Sequence, residues 1–192
     1  TQYLNPPVIP GNNPQTVEGI ALGRRLFYDP ILSSDSSQAC ATCHMPFRAW
    51  GQNTQFSTGV TMAVGNRNSM PLFNMAWNFG DKFFWDGRAI GLEEQGFGPV
   101  TNPIEMNNTW PNAVASLQNH PTYPNLFQAA FGTSVIDSVL VVKALAQFER
   151  TFISANSKFD KFLLGQGSLT PSELNGFDLF RNESGADCFH CH

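Results

Sequence analysis

Cys40-Ala41-Thr42-Cys43-His44 and Cys188-Phe189-His190-Cys191-His192 are two copies of one pattern, Cys-x-x-Cys-His. The pattern reads as attachment of a c-type haem. Two thiols three residues apart on one turn can both reach the porphyrin edge and add to its vinyl groups. The next residue, His44 or His192, turns under the ring and ligates the iron. All four cysteines of the chain lie in these motifs. A tetrahedral zinc site is strained by Cys-x-x-Cys with an adjacent His. A thioredoxin-type redox pair explains neither the histidine nor the repetition. Two covalently bound haem c groups are therefore the expected cofactors, one on Cys40, Cys43 and His44, the other on Cys188, Cys191 and His192.

Working outward, the 192 residues allow one large domain or two small ones, and 42% hydrophobic content is enough for a core. Charged residues make up only 14% of the chain, which suits a core partly supplied by an apolar cofactor. The formal net charge is −4 and there is no basic tract, so nucleic acid is not an expected partner. No apolar run reaches the length of a membrane span. The most apolar stretch, 135–152, is interrupted by Asp137, Lys143 and Glu149. The chain begins at Thr1 with no signal peptide, which reads as a mature or trimmed form. Covalent haem attachment normally takes place outside the cytoplasm, so the periplasm or the extracytoplasmic face of the membrane is the expected location.

Residues 1–14 are rich in Pro, Asn and Gly and read as an extended arm. Helical spacing runs from Gln15 to Tyr28 and stops before Asp29-Pro30. Residues 46–71 form a long loop of the kind that covers a cofactor. The aromatic-rich stretch 72–84 reads as core. Gly91 to Gly96 reads as a helical turn, and 111–119 and 125–131 as short helices, the first capped by Asn108 or Thr109. Ser134 to Phe152 is the clearest helix, with stripes Val135, Val139, Val142, Ala146 and Val141, Leu145, Phe148, Phe152. Thr170-Pro171-Ser172-Glu173 is a helix start with an N-cap, a Pro at the first position and a Glu at the third. Gly-x-x-Leu-Phe occurs before each haem motif, at 23–27 and 176–180. The fold expected is all-α: two tandem cytochrome c-like domains with long loops, each around one haem. The first spans 15–165 and the second begins at 166. A cytochrome c unit needs chain after its motif to cap the porphyrin, so the second domain is expected to be incomplete at 192, short by on the order of 100 residues.

Several blocks between the motifs carry a resemblance. They are Leu22-Gly23-Arg24-Arg25-Leu26-Phe27-Tyr28-Asp29-Pro30, Arg67-Asn68, Phe84-Trp85-Asp86-Gly87-Arg88-Ala89, and Leu92-Glu93-Glu94-Gln95. They continue with 98–106 (Gly-Pro-Val-Thr-Asn-Pro-Ile-Glu-Met), 144–151 (Ala-Leu-Ala-Gln-Phe-Glu-Arg-Thr) and 157–160 (Ser-Lys-Phe-Asp). In this order the chain resembles the bacterial di-haem cytochrome c peroxidases and their MauG-type relatives. The resemblance implies that electrons from a small donor, a cytochrome c or a cupredoxin, reach the C-terminal haem. They then cross to the N-terminal haem, where hydrogen peroxide is reduced to water. It implies that Trp85 lies between the haems, that Gln95 and Glu105 flank the peroxide site, and that Asn68 is a ligand to one calcium ion. It also implies a homodimer or an assembly with other redox subunits.

These roles make chemical sense. Peroxide must lose a proton at one oxygen and gain one at the other before the O–O bond splits, and one carboxyl, Glu105, can carry it. Gln95 can donate a hydrogen bond without adding charge. An indole at Trp85 offers an orbital for electron or hole transfer. Each residue also has a plainer reading: Trp85 as core, Gln95 and Glu105 as surface or turn residues. The alternatives to a peroxidase are a MauG-like oxidase of a protein or organic substrate, and a non-enzymatic di-haem electron-transfer subunit. Many relatives carry a histidine in the loop after the first motif that blocks the iron. Here no histidine lies between His44 and His120. An open or water-ligated first haem is therefore expected, in an enzyme that needs no reductive activation or is of the MauG type. Met62 and Met70 are the soft ligand candidates in that loop and read as core or loop packing residues.

Overall fold

The computed structural model describes residues 5–191. His192 and the first four residues of the expected arm lie outside that range. The described residues fall into two units: Pro7–Ile153, and residues 154–191 with 5–6. Helices dominate both. No helix among the described residues is long and apolar enough to cross a membrane.

The larger unit is organised by helices α1 (Val17–Tyr28) and α7 (Ser138–Glu149). Thr16 starts α1 by accepting a hydrogen bond from the Gly19 amide, and the chain leaves the helix at Asp29, whose backbone is extended ahead of Pro30. Gly19, Leu22, Gly23, Leu26 and Phe27 are buried at helical spacing. The α1 face lies against α7, and the two glycines allow close approach. A Cβ on Gly23 would overlap the Ala144 carbonyl, and one on Gly19 the Gln147 carboxamide.

Asp137 caps α7 by accepting from the Leu140 amide at 2.8 Å. That cap explains why the helix begins at Ser138 rather than at Ser134 as the apolar spacing suggests. Val135 and Val139 are exposed, so the stripe through Val142 and Ala146 is buried only in its second half. The other stripe, Val141, Leu145, Phe148 and Phe152, is buried throughout.

The rest of this unit wraps the pair. After the short turn α2 (Cys40–Cys43) comes a long irregular segment, then the two-residue strands β1 (Lys82–Phe83) and β2 (Ala89–Ile90), paired antiparallel. This hairpin is an addition to an otherwise helical fold. Helices α3 (Leu92–Gln95), α4 (Phe97–Thr101), α5 (Trp110–Asn119) and α6 (Tyr123–Phe131) follow. Thr109 caps α5. Tyr123 is fully buried, and its hydroxyl donates to Asp29 Oδ2 at 2.7 Å, tying α6 to the end of α1.

The smaller unit contains α8 (Lys158–Leu163) and α9 (Pro171–Arg181), joined by contacts among Phe159, Phe162 and Phe177. Leu179 and Phe180, counterparts of the buried Leu26 and Phe27, are exposed among the described residues. Thr170 and Glu173 form a reciprocal capping box. Glu173 Oε2 accepts from the Thr170 amide at 2.6 Å, from the Thr170 hydroxyl at 2.8 Å and from Lys158 Nζ. The Lys158 contact comes first, then the Thr170 bonds, and together they hold the Glu173 carboxyl down at about 2. A depressed folded value means the stabilisation is complete above the ordinary Glu range and is lost as pH falls towards 2. Acid titration followed by amide exchange should therefore show α9 fraying from its first turn. Glu173→Gln should remove that pH dependence; an unchanged acid profile would show that the box contributes nothing.

Candidate active site

The α2 turn presents its two thiols together: Cys40, Cys43 and His44 all line a cavity of about 400 Å³ in the larger unit. The His44 amide closes the turn on the Cys40 carbonyl at 2.9 Å. His44 Nδ1 lies 2.9 Å from the Trp50 carbonyl. A carbonyl can only accept, so Nδ1 carries the proton and Nε2 keeps its lone pair. Burial lowers the His44 pKa, opposed by the carbonyls of Trp50 and Met70. The imidazole is thus held neutral, the form a metal needs.

Trp50 owes its position to the core. Its ring stacks on Phe152 at 3.7 Å and meets Phe27 and Phe148 edge-on. The same residue therefore packs with its side chain and orients His44 with its backbone.

Helix α3 and the segment after α4 supply further lining of the same cavity. Gln95, the last residue of α3, lines the cavity, as does Glu105. Asn102 Nδ2 donates to Glu105 Oε1 at 2.6 Å. Burial raises the Glu105 pKa, with Asn102 and the Arg88 charge pulling the other way. The Glu105 backbone is pinned by the long loop, because the Val60 amide donates to its carbonyl at 2.9 Å. Gly59 permits this contact: a Cβ there would collide with the Ile104 carbonyl. Met62 sits exposed at the tip of this loop, whereas Met70 lines the cavity.

Trp85 is presented on the turn between β1 and β2. Gly87 takes a positive φ of 67° there, and Phe84 does so at 65°, an uncommon conformation for an aromatic residue. Arg88 lies over the Phe84 ring at 3.7 Å and bonds both oxygens of Asp86, which also accepts from Arg67 at 3.1 Å. This clasp shapes the turn, and it leaves the Trp85 residue 57% exposed at the cavity rim. The indole Nε1 donates to the Asn68 carbonyl at 2.8 Å. The Asn68 carboxamide nitrogen donates to the Thr54 carbonyl, which leaves Oδ1 as its free oxygen donor. No group of three His, Cys, Asp or Glu side chains able to hold a metal ion occurs among the described residues. A calcium ion at Asn68 would rely on carbonyl and carboxamide oxygens and on water.

The second motif lies in the smaller unit. Cys188 to His190 form a 3-10 turn, with Cys188 half-buried and Cys191 exposed. His190 Nδ1 bonds Asp187 at 2.6 Å. His192 lies outside the described residues. His120 ends α5 and accepts from the Thr122 amide at 3.1 Å, a structural role.

One cavity thus brings together Cys40, Cys43, His44, Asn68, Trp85, Gln95 and Glu105. Paired thiols, a neutral imidazole and an apolar wall including Leu32, Leu72, Val100 and Leu145 suit a covalently held porphyrin. Sequence reasoning missed Glu149 and Arg88, which also line the cavity. The signal for Glu149 was an acid inside the buried stripe of a helix.

The sequence profile of the di-haem cytochrome c peroxidases matches residues 17–168. The chain belongs to this family. It is 41% identical over 185 residues to the methylamine utilization protein MauG of Methylorubrum extorquens, covering 95% of this chain and 51% of that protein. It is 37% identical over 196 residues to the cytochrome c peroxidase Ccp of Escherichia coli, covering 97% and 40% respectively. Among solved structures, a MauG-like protein associated with microbial copper homeostasis superposes with a TM-score of 0.91. It is 33% identical, covering all of this chain and 56% of that one. The diheme peroxidase BthA from Burkholderia thailandensis superposes with a TM-score of 0.84 at 28% identity, covering 94% and 50%. The chain spans about half the length of the curated relatives it matches. Membership of this family makes haem c the fitting cofactor for the cavity.

Proposed function

We propose that the protein is a di-haem peroxidase that reduces hydrogen peroxide to water at the haem site of Cys40, Cys43 and His44. The reading is supported by one cavity that Gln95 and Glu105 line together with Cys40, Cys43 and His44. A bound haem would supply the iron that accepts a peroxide oxygen and delivers electrons to it. The chain's own residues do the rest. Cys40 and Cys43 anchor the porphyrin edge, and His44 offers Nε2 because Trp50 occupies Nδ1. Gln95 orients the peroxide through a neutral hydrogen bond. Glu105, kept partly out of water and steadied by Asn102, takes a proton from one peroxide oxygen and returns it to the other.

In this reading Cys188, Cys191 and His192 hold a second haem that accepts electrons from a cytochrome c or a cupredoxin. Trp85 is the conduit between the two, and Asn68 is a calcium ligand. In sequence terms 15–165 and the chain from 166 onward are then assigned to the two haem domains, with the arm at 1–14 ahead of them. In packing, Asn13 is buried in the larger unit and the units divide after Ile153, with α8 against α9. The absence of a histidine between His44 and His120 supports an open or water-ligated first haem. The protein then acts in the periplasm or on the outer face of the membrane. The test mixes the haem-loaded protein, hydrogen peroxide and a pre-reduced cytochrome c or cupredoxin. Peroxide-dependent donor oxidation supports the reading, and none under any donor would refute it. The 41% identity to a MauG favours one second reading, oxidation of a protein or organic substrate. Peroxide consumption that needs such a substrate and ignores the small donors would select it.

A further inference from the structure

Reduction of one hydrogen peroxide takes up two electrons and two protons and yields two waters. An acid/base that moves a proton from one oxygen to the other ends as it began. Both consumed protons must therefore come from solvent, in addition to the exchange that Glu105 performs. Resting on the peroxidase reading, we propose that Glu149 is a second proton donor to the cavity, reloaded from solvent through Glu93 and Asp81.

Glu149 ends α7, is 8% exposed and lines the cavity. Its surroundings lead outward. Arg150 follows it, with a side chain only 5% exposed, and pairs with Glu93 Oε2 at 2.8 Å. Arg150 Nη1 is buried and donates to no atom among the described residues. Such an orphan guanidinium N–H calls for a water, which is the carrier a proton needs between carboxyls. Arg150 itself does not release a proton. Glu93 is anchored on its other oxygen by Asn13. Asn13 is held in turn by the Gln147 carboxamide at 2.9 Å. Glu93 Oε2 and Asp81 Oδ2 both lie within 4 Å of the point where a Cβ on Gly91 would sit, so the two carboxylates converge there. Asp81 is exposed. Asp81 at the surface, Glu93 paired with Arg150, and Glu149 on the cavity wall are thus successive carboxyls, with Glu93 near enough to Glu149 for each to feel the other's charge.

The charges facing Glu149 are Arg150 on its own helix and Glu93 on α3, with the Cys40 thiol on α2 near enough to feel its charge. Burial pushes the Glu149 carboxyl up to about 8, Arg150 opposes this, and Glu93 adds to it. At neutral pH Glu149 holds its proton and can give it up. For each of the two electrons delivered, the Glu149 O–H bond breaks, its proton goes to a peroxide-derived oxygen, and the carboxylate is reprotonated from solvent through the Glu93 side, so that two protons and two electrons complete the two waters. The two electrons come from the small redox donor.

The experiment uses the haem-loaded protein and its Glu149→Gln and Glu149→Asp variants, with two readouts. Difference infrared spectroscopy at pH 7 should show a protonated-carboxyl C=O band that titrates on the alkaline side. The band should be absent in Glu149→Gln and shifted in Glu149→Asp. Peroxide turnover should fall at least about tenfold in Glu149→Gln, with the alkaline limb of its pH profile lost. Glu149→Asp should recover most of it. Wild-type turnover and an unchanged pH profile in Glu149→Gln would overturn the proposal. So would a wild-type protein whose carboxyl band is missing at pH 7, a result that holds even where the Gln variant does not fold. A wild type that turns over no peroxide would refute the peroxidase reading instead, while the infrared band still decides the state of Glu149.

Discussion

Glu105→Gln should lower peroxide turnover by roughly 10²–10⁴-fold while leaving the haem absorption spectra nearly unchanged. The substitution keeps the shape and the capacity to accept from Asn102 Nδ2, which lies 2.6 Å from the carboxyl. It removes only the group that can take and return a proton. The backbone clamp survives as well, since the Val60 amide bonds the Glu105 carbonyl and not its side chain. Retention of shape with loss of rate separates proton transfer from packing. Turnover within a few-fold of the parent, measured with the same reduced donor, would take Glu105 out of the mechanism.

The second large effect falls on stability and uses two glycines in the same sequence pattern. Gly23→Ala should cost about 3 kcal/mol, because its methyl group meets the Ala144 carbonyl, part of a rigid helix backbone that has nowhere to go. For a chain of this size that is a fall in Tm of roughly 6–12 °C. Gly176→Ala should act in the opposite direction. No atom lies within 4 Å of the added methyl, so only the helix preference remains, worth about 0.5–1 kcal/mol in favour of Ala. Urea unfolding of both variants checks the pair. A neutral Gly23→Ala would mean that α1 and α7 do not pack as described.

The parts of this protein that could be read from sequence are those whose physics is local. Haem attachment needs two thiols and an imidazole at fixed spacing, so 40–44 and 188–192 could be read as such motifs, and the fold brings Cys40, Cys43 and His44 to one cavity. The capping box at Thr170 and Glu173 likewise involves neighbours in the chain, and α9 begins where it should. Long-range effects were harder to see. The aromatic run ahead of Trp85 looked like core. A positive φ at Phe84 and Gly87, with Arg67 and Arg88 closing on Asp86, turns that tryptophan out to the rim instead. Helix α4 contains Gly98 and Pro99, residues that argue against a helix until tertiary packing is known. Glu149 was visible only as an interruption in an apolar stretch. Its meaning depends on Arg150 and Glu93, which the fold brings from 57 residues apart. Cys40, Glu105 and Trp85 reach one cavity through three separate elements, and their ordered recurrence with the family's blocks was the only sequence sign of it.

Trp50 has one further consequence. Because a single residue gives its indole to the aromatic cluster and its carbonyl to the His44 imidazole, the donor strength of the His44 Nε2 lone pair is mechanically linked to the scaffold. Softening around Phe27, Phe148 and Phe152 lengthens that one hydrogen bond and makes the imidazole a weaker electron donor. If His44 holds a haem as proposed, a voltammetric midpoint followed as the holoprotein is warmed would then drift upward before any helix melts, and that group would act as a strain gauge for the hydrophobic centre.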